Sequence, residues 1–349
     1  MTEKDKYILQ YGNLAGWPYL IAKELRNRGI NSKNIIRWYT DVHDLKRNLN
    51  FDEYLTTPNA NKLLKAKKLI EFIKVASREC SLIHYHGTNI FFKAIHHLYE
   101  GPVFKKANIP MLLTFGGGDV RQYSIANKLN PYFFTKNNFF YDLRMKMRLY
   151  SWSKNIRFCA TSEEMFPYIE DCFEKVFIFR QPVDLEILKP KYPLIVKKTP
   201  TILHTPTEPA VKGTKYILEV VEKLKKKGLN FDFKLKRNMT QRETQNEILN
   251  CDIYIDQILA GGYGVSAIES MALGKPTISW VLESILEISP RELPIVSANP
   301  DTLENKLTEL ILDSTLRNKI GIESRKYVEK YHDIKKVTQD TINIYKEIS

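Results

Sequence analysis

Residues 261–276 read GGYGVSAIESMALGKP. Three glycines, Gly261, Gly262 and Gly264, fall within four residues. A largely apolar run follows, Val265 to Leu273, and it carries one carboxylate, Glu269. Gly274 and Pro276 close it, because glycine takes the left-handed turn past a helix end and proline cannot continue the helix. The run therefore predicts a short helix, buried on nearly every side. An acid in such a helix is costly unless it is paired or hydrogen-bonded. Glu269 thus either meets a cation inside its domain or accepts hydrogen bonds from a ligand. The glycines favour the ligand, since they let backbone approach closely and adopt positive φ. First-turn amides at the positive end of a helix dipole make an anion site. A phosphate at the amides of Gly264 and Val265, with a carboxylate about 1.5 turns further on to take two sugar hydroxyls, suits a nucleoside diphosphate. A glycine turn above a core ion pair is the plainer alternative.

A rival pattern overlaps this one. Gly262 to Ala267 fits G-x-G-x-x-A, a dinucleotide fingerprint, and Glu283 follows the next strand. That fingerprint belongs to the first strand-to-helix turn of its domain, whereas this one follows a third strand, and the acid comes early.

Working outward, the pattern alternates strand and helix. KYILQYG, CSLIHYHG, PMLLTFGGGD, NIRFCATS and KVFIFRQPVD read as strands in the first half, with WPYLIAKELRNRG as an amphipathic helix. LEILKPKYPLIVKKTP (185–200) holds three prolines and four lysines and reads as a linker. The alternation then restarts with TILHTP, GTKYILEVVEKLKKKG, FDFKLK, QRETQNEILN, CDIYIDQ and PTISWV, and helical patterns finish the chain. Such an order predicts an α/β protein of two Rossmann-like domains, with ligands beyond the carboxyl ends of the strands and the natural site in a cleft between the domains.

The 349 residues suffice for two domains. No apolar run approaches the roughly 18 residues that span a bilayer, and MTEKDKYILQYGN lacks a signal peptide's apolar core. Cys80, Cys159, Cys172 and Cys251 are scattered without a C-x-x-C pair, which predicts reduced thiols and a cytoplasmic location. The net charge of +13 is uneven: residues 1–184 hold 28 Lys and Arg against 18 Asp and Glu, and residues 185–349 hold 25 against 22. A basic first half points to an acidic partner such as an anionic membrane surface at its inner face, a phosphorylated acceptor or nucleic acid; a solvated lysine-rich surface is the plainer reading. FFTKNNFFYDLRMKMRLYSWSK (133–154) mixes aromatics with cations. It reads as a helix with one apolar side buried, with a membrane interface or single-stranded nucleic acid as alternatives. No helix-turn-helix, zinc or RRM signature accompanies it, so nucleic acid is not an expected partner.

YGVSAIESMALGKPTI resembles the signature of retaining GT-B glycosyltransferases of the family 4 type. HTPTEPAVKGTKYILEVVEKL resembles the start of that family's second domain, and IHYHG, LLTFGGGDVR and QPVDLEILKP resemble first-domain segments and the domain junction. The resemblance covers most of the chain, is strongest over 201–280 and weak over 1–80. It implies a GT-B fold, two Rossmann-like domains facing each other across a cleft. The acceptor domain would be 1–185, the donor domain 186–330, and a C-terminal helix, about 331–349, would pack back on the first. It implies that Lys212 contacts the donor diphosphate, that the glycine loop and Glu269 bind the nucleotide, and that His86 hydrogen-bonds the donor near the reacting carbon. The family often places a glutamate where Gly261 stands and an arginine shortly before the lysine; this chain has neither, which bears on the transferred sugar more than on the nucleotide.

The residues support that chemistry. Breaking a glycosidic C–O bond builds negative charge on the leaving phosphate, and fixed donors there lower the barrier. The amides of Gly264 and Val265, with Lys212, are the candidates. The chain has no D-x-D, so no metal and no resident cofactor is expected. His84 and His86 share one face of a strand; both could equally be satisfied core histidines, and no third metal ligand stands near them. Asp119, after three glycines, is placed to orient an acceptor hydroxyl or act as base, with Arg121 holding an acidic group of the acceptor; Asp119 could instead cap the next helix. Gly12 and Gly16 resemble the family's first-domain glycine loop, or form a tight turn. The expected reaction is transfer of a sugar, with retention, from a nucleoside diphosphate donor (a UDP-sugar) to a hydroxyl of a glycan or lipid-linked acceptor. A nucleotide-sugar epimerase, an NAD-type oxidoreductase and a non-catalytic binder are the alternatives.

Overall fold

The computed structural model describes residues 6–38, 49–87, 90–92 and 95–349. The chain divides into two units. The first comprises Met1–Ile125, Asn138–Pro182 and Ile334–Ser349; the second comprises Ala126–Asn137 and Val183–Asp333.

The first unit is built on seven strands among the described residues: β1 Tyr7–Tyr11, β2 Ser32–Trp38, β3 Glu53–Thr56, β4 Cys80–His86, β5 Met111–Phe115, β6 Phe158–Thr161 and β7 Lys175–Ile178. Their order is β3-β2-β1-β4-β5-β6-β7, and every pairing is parallel. Parallel strands are covered on both faces, which is why β5, MLLTF, is buried at every position. Five of these strands follow from the sequence; β2 and β3 do not. β3 is an edge strand, two of its four residues are exposed, and its place is held by polar contacts rather than an apolar pattern. Arg26 bridges the two: its guanidinium donates to Ser32 O and to Asp52, and Asp52 Oδ2 also accepts the Asn34 amide at 2.8 Å.

The helix Ile334–Ile348 belongs to the first unit. Its Tyr345 hydroxyl reaches the sheet, meeting Gln10 Nε2 at 2.8 Å and His84 Nδ1 at 2.7 Å. Arg28, past the end of the helix Trp17–Asn27, donates to Lys335 O at 2.6 Å and Gln339 Oε1 at 2.8 Å.

The second unit carries β8 Thr201–His204, β9 Asp232–Leu235, β10 Ile253–Ile255 and β11 Thr277–Ile278, ordered β11-β10-β8-β9 and parallel throughout. Side chains alternate across it. Ile202, Ile253, Ile255 and Ile278 enter one apolar cluster with Ile217, Leu224 and Leu303. Leu203 and Tyr254 enter the other with Ile268, Met271 and Tyr327. The proline-rich run has no helix or strand, yet Leu185 and Leu188 pack into that second cluster. Two buried arginines tie its backbone down: Arg317 donates to Lys197 O at 2.6 Å and Arg325 to Leu188 O at 2.5 Å. In the Ala126–Asn137 segment, Asn130 Nδ2 donates to Leu259 O at 2.8 Å and the Tyr132 ring stands edge-on to Trp280 at 5.0 Å.

The helix Val265–Ala272 is pressed against Ser314–Tyr331. A Cβ on Gly321 would lie 2.4 Å from Gly274 O, so the two backbones meet only because this position has no side chain. Gly321→Ala should destabilise the second unit by about 2–3 kcal/mol through forced separation. Urea unfolding measures it; a midpoint equal to the parent's would mean the interface yields freely.

Candidate functional site

β8 and β10 are paired neighbours, with His204 opposite Ile255, and the chain leaves both at the same edge of the sheet. After β8 it runs to Lys212; after β10 it runs through Asp256 to the glycine loop. Lys212 Nζ donates to Asp256 Oδ1 at 2.5 Å, and Asp256 is 2% exposed. The two loops are locked together. Ile258 N donates to Lys212 O at 3.2 Å. Gly213 has φ +77°, and a Cβ there would strike Ile258 Cγ1 at 2.5 Å. Beneath them His204 bonds Ile255 O at 2.8 Å and Thr214 Oγ1 at 2.9 Å. Burial pushes its pKa down to about 4, so the ring is neutral.

Of the three glycines that open the decisive stretch, Gly261 alone takes positive φ, at 79°. Its role is packing, since a Cβ there would meet Leu282 Cγ at 2.9 Å. Gly262 O is held by Gln257 Nε2 at 2.7 Å and Ser279 Oγ at 3.0 Å. Gly264 is extended and caps Val265–Ala272; its amide faces Asp256 Oδ2 at 3.4 Å. The opening amides of a helix have no acceptor within it. Those of Ala267 and Ile268 turn back to Gly264 O at 3.1 and 3.2 Å, while Val265 and Ser266 begin the helix. Past the far end, Gly274 has φ +76° and Lys275 N donates to Ser270 O at 3.1 Å, the closing turn expected from the sequence.

Glu269 is 5% exposed, one turn into that helix. Its Oε1 accepts from Gln241 Nε2 at 2.6 Å and Gln245 Nε2 at 2.9 Å. These two donors are neutral amides on one face of the helix Gln241–Leu249. Both meet the same carboxylate oxygen.

The first unit shows a second group of loops, at the carboxyl ends of β1, β4 and β5. Gly12 and Gly16 have φ of 109° and 82°, and Ala15 between them has φ 52°, a conformation uncommon for a residue with a Cβ. Gly16 N donates to Asn13 Oδ1 at 3.1 Å. Leu14 projects from this turn toward its neighbours: a Cβ on Gly116 would strike Leu14 Cδ2 at 2.7 Å, and one on Gly87 would meet Asp119 Oδ2 at 3.1 Å. Asp119 closes its own glycine turn by accepting the Gly116 amide at 3.2 Å, so it caps no helix through that bond. Arg121 is half-buried and lies near the Tyr168 hydroxyl.

His86 lies just below this rim and is fully buried, as is His84. The expected contact with a donor needs an open ring; here His84, on the same strand face, meets Tyr345 of the helix Ile334–Ile348. The ring centroids lie 3.9 Å apart with the planes tilted by 34°, His84 bonds Tyr345 and Thr114, and His86 Nε2 meets Gln10 Oε1 at 2.8 Å. Burial pushes His86 down to about 3, and burial with the neighbouring imidazole lowers His84.

No protein-family profile matches the chain, and no curated protein sequence does. Solved structures do. Sucrose-phosphate synthase from Thermosynechococcus elongatus superposes with a TM-score of 0.65 at 12% identity, over 98% of each chain. The Anabaena protein HepE, solved in complex with UDP, gives 0.63 at 12% identity, over 98% of this chain and 100% of that one. UDP-GlcNAc 2-epimerase from Methanocaldococcus jannaschii gives 0.51 at 13% identity, over 93% and 98%. The chain has the GT-B fold.

Within that GT-B fold, the second unit sets Lys212 and Gly264 against the two oxygens of Asp256 beyond β8 and β10, where open α/β sheets bind ligands, and Val265 and Glu269 follow on the helix that Gly264 caps. The first unit gathers Gly12, Gly16 and Asp119. The sequence reading missed Asp256, although a carboxylate ending a strand just before a glycine loop was a visible signal. It also missed Gln241 and Gln245, for which helical spacing of two amides is too common to point anywhere.

Three buried neutral imidazoles set an acid limit on this GT-B chain. Unfolded, each titrates near 6.5; folded, His86 and His204 titrate at about 3 and about 4. The unfolded state binds more protons between those values, so stability is complete above pH 6.5 and falls as pH drops toward the folded values. Each imidazole should cost up to about 1.4 kcal/mol per pH unit in that window. Urea midpoints at pH 7 and pH 5 test it, and equal midpoints would refute it.

Proposed function

We propose that this chain is a retaining, metal-independent glycosyltransferase of the family 4 type. It moves a sugar from a nucleoside diphosphate donor, a UDP-sugar, to a hydroxyl of a glycan or lipid-linked acceptor in cell-surface polysaccharide or glycoconjugate synthesis. One observation carries the reading: a lysine, a helix-opening amide group and a buried carboxylate stand in sequence beyond two adjacent parallel strands. Lys212 and the amides of Gly264 and Val265 would take the charge that grows on the leaving diphosphate. Glu269 would exchange the Gln241 and Gln245 amides for ribose hydroxyls. The likeness to a sucrose-phosphate synthase and to a protein solved in complex with UDP supports a nucleotide-sugar substrate. The glycine turns and Asp119 of the first unit would receive the acceptor, with Asp119 orienting its hydroxyl and Arg121 near an acidic substituent. His86 is given the task of fixing the strand ends beneath them.

A second reading is kept because an epimerase shares the fold. It uses the nucleotide and needs no acceptor. Thermal melting with UDP, UDP-sugars and NAD separates the possibilities: stabilisation by UDP and not by NAD is expected. Stabilisation by NAD alone would sink the proposal. Isomerised donor without transfer, when UDP-sugars are incubated with pooled glycan and lipid acceptors, would favour the epimerase.

A further inference from the structure

The helix Phe139–Ser153 has two apolar faces, and the domain covers one of them. Met145, Leu149 and Trp152 are buried, with Trp152 beside Phe115 at 5.9 Å. Phe139, Phe140, Leu143, Met147 and Tyr150 are 74%, 80%, 44%, 64% and 59% exposed. At about 100° per residue these five positions fall within one arc of roughly 100°, a continuous stripe along the helix. Leu98, 68% exposed, extends the patch: its neighbour His97 bonds Ser151 at 2.8 Å and lies 6.4 Å from the Tyr150 ring. A soluble surface scatters such residues singly; a contiguous stripe marks a contact surface.

Charge says what the contact is. Arg144, Lys146, Arg148 and Lys154 lie on or just past this helix, against one acid, Asp142. Asp142 is turned inward, where its carboxylate accepts the amides of Tyr123 at 2.7 Å and Ser124 at 2.9 Å. The outward side therefore presents aromatics, aliphatics and cations with no acid from the helix itself. Arg144 lies over the Tyr141 ring at 5.5 Å and Lys154 over Tyr150 at 4.7 Å, so the cations flank the stripe along its length. Among the described residues no helix is long and apolar enough to cross a membrane. We propose that this helix lies in the surface of an anionic membrane, its Phe-Phe end and Leu143, Met147 and Tyr150 entering the headgroup boundary while Arg144, Lys146 and Lys154 meet lipid phosphates. A nucleic-acid groove would set cations along a track with bases stacked between them; two adjacent phenylalanines and an aliphatic ridge suit acyl chains better. This surface is independent of the reading of the nucleotide site.

Sedimentation with vesicles tests it, using phosphatidylcholine alone and phosphatidylcholine with phosphatidylglycerol at ~2:1. The protein should bind the anionic vesicles and leave the neutral ones. Phe139→Ser/Phe140→Ser should weaken binding by about tenfold or more, and Arg144→Glu/Lys146→Glu should do the same while flattening the response to salt. All four side chains are exposed, so the melting temperatures should match the parent's, and UDP binding should be unchanged. Equal binding to both vesicles, or binding untouched by either double variant, overturns the proposal. So does a dimer in light scattering that the phenylalanine variant abolishes, which would assign the face to a second copy, or a preference for single-stranded oligonucleotide over the anionic vesicles.

Discussion

Replacing Glu269 with alanine should lower the affinity for UDP by about 100-fold, measured by titration calorimetry. Hydrogen bonds to an ionised group are worth about 1.5–3 kcal/mol each when lost, and two ribose hydroxyls would share this carboxylate. The loss should appear for UDP and not for pyrophosphate, which has no ribose. The fold should survive, because Gln241 and Gln245 are each only partly buried and can turn to water. A variant with a lowered melting temperature and unchanged UDP affinity would make Glu269 a structural tie for the helix Gln241–Leu249. The nucleotide reading would then lose its main residue.

The Lys212–Asp256 pair should give effects of opposite sign. Lys212→Ala should weaken both UDP and pyrophosphate by at least tenfold, since either brings a diphosphate. Asp256→Asn should tighten both by about tenfold. Asp256 stands between the lysine and the Gly264 amide, with one oxygen toward each, so a carboxylate already occupies the position an anion would take. A diphosphate arriving beside it meets a like charge, and at about 4 Å with an effective dielectric near 20 that repulsion approaches about 4 kcal/mol. Only part of this is recovered, because the amide also withdraws a partner from Lys212. If Asp256→Asn weakens binding as much as Lys212→Ala, the carboxylate serves to hold the lysine in place and the competition does not exist.

Much of this architecture was legible before any coordinates. Strands such as β5 are continuous apolar runs ending in glycine, and burial on both faces demands that pattern. β3 was not legible because an edge strand with polar neighbours is held by Arg26 and Asp52, residues that sequence spacing does not join. The nucleotide candidates were found because glycine, lysine and a lone buried acid each carry a physical oddity that a single sequence displays. Asp256 was hidden by its company: one more aspartate at a strand end looks ordinary until the lysine is seen against it. His86 shows the limit of strand arithmetic. Alternation gave the correct shared face with His84, but the helix whose Tyr345 meets His84 comes from about 250 residues later in the chain.

That late helix carries an implication for how the protein is made. Tyr345 partners His84 Nδ1 and Gln10 Nε2, two buried polar atoms of side chains whose other ends are held by Thr114 and His86. The earliest strands are therefore synthesised long before the piece that seals them. During translation the first unit must wait, with β1 and β4 unsealed on one side, while the whole of the second unit emerges and folds. A chain whose residues up to 333 have emerged from the ribosome should hold a finished second unit behind an unfinished first. That is the interval in which a chaperone has most to do.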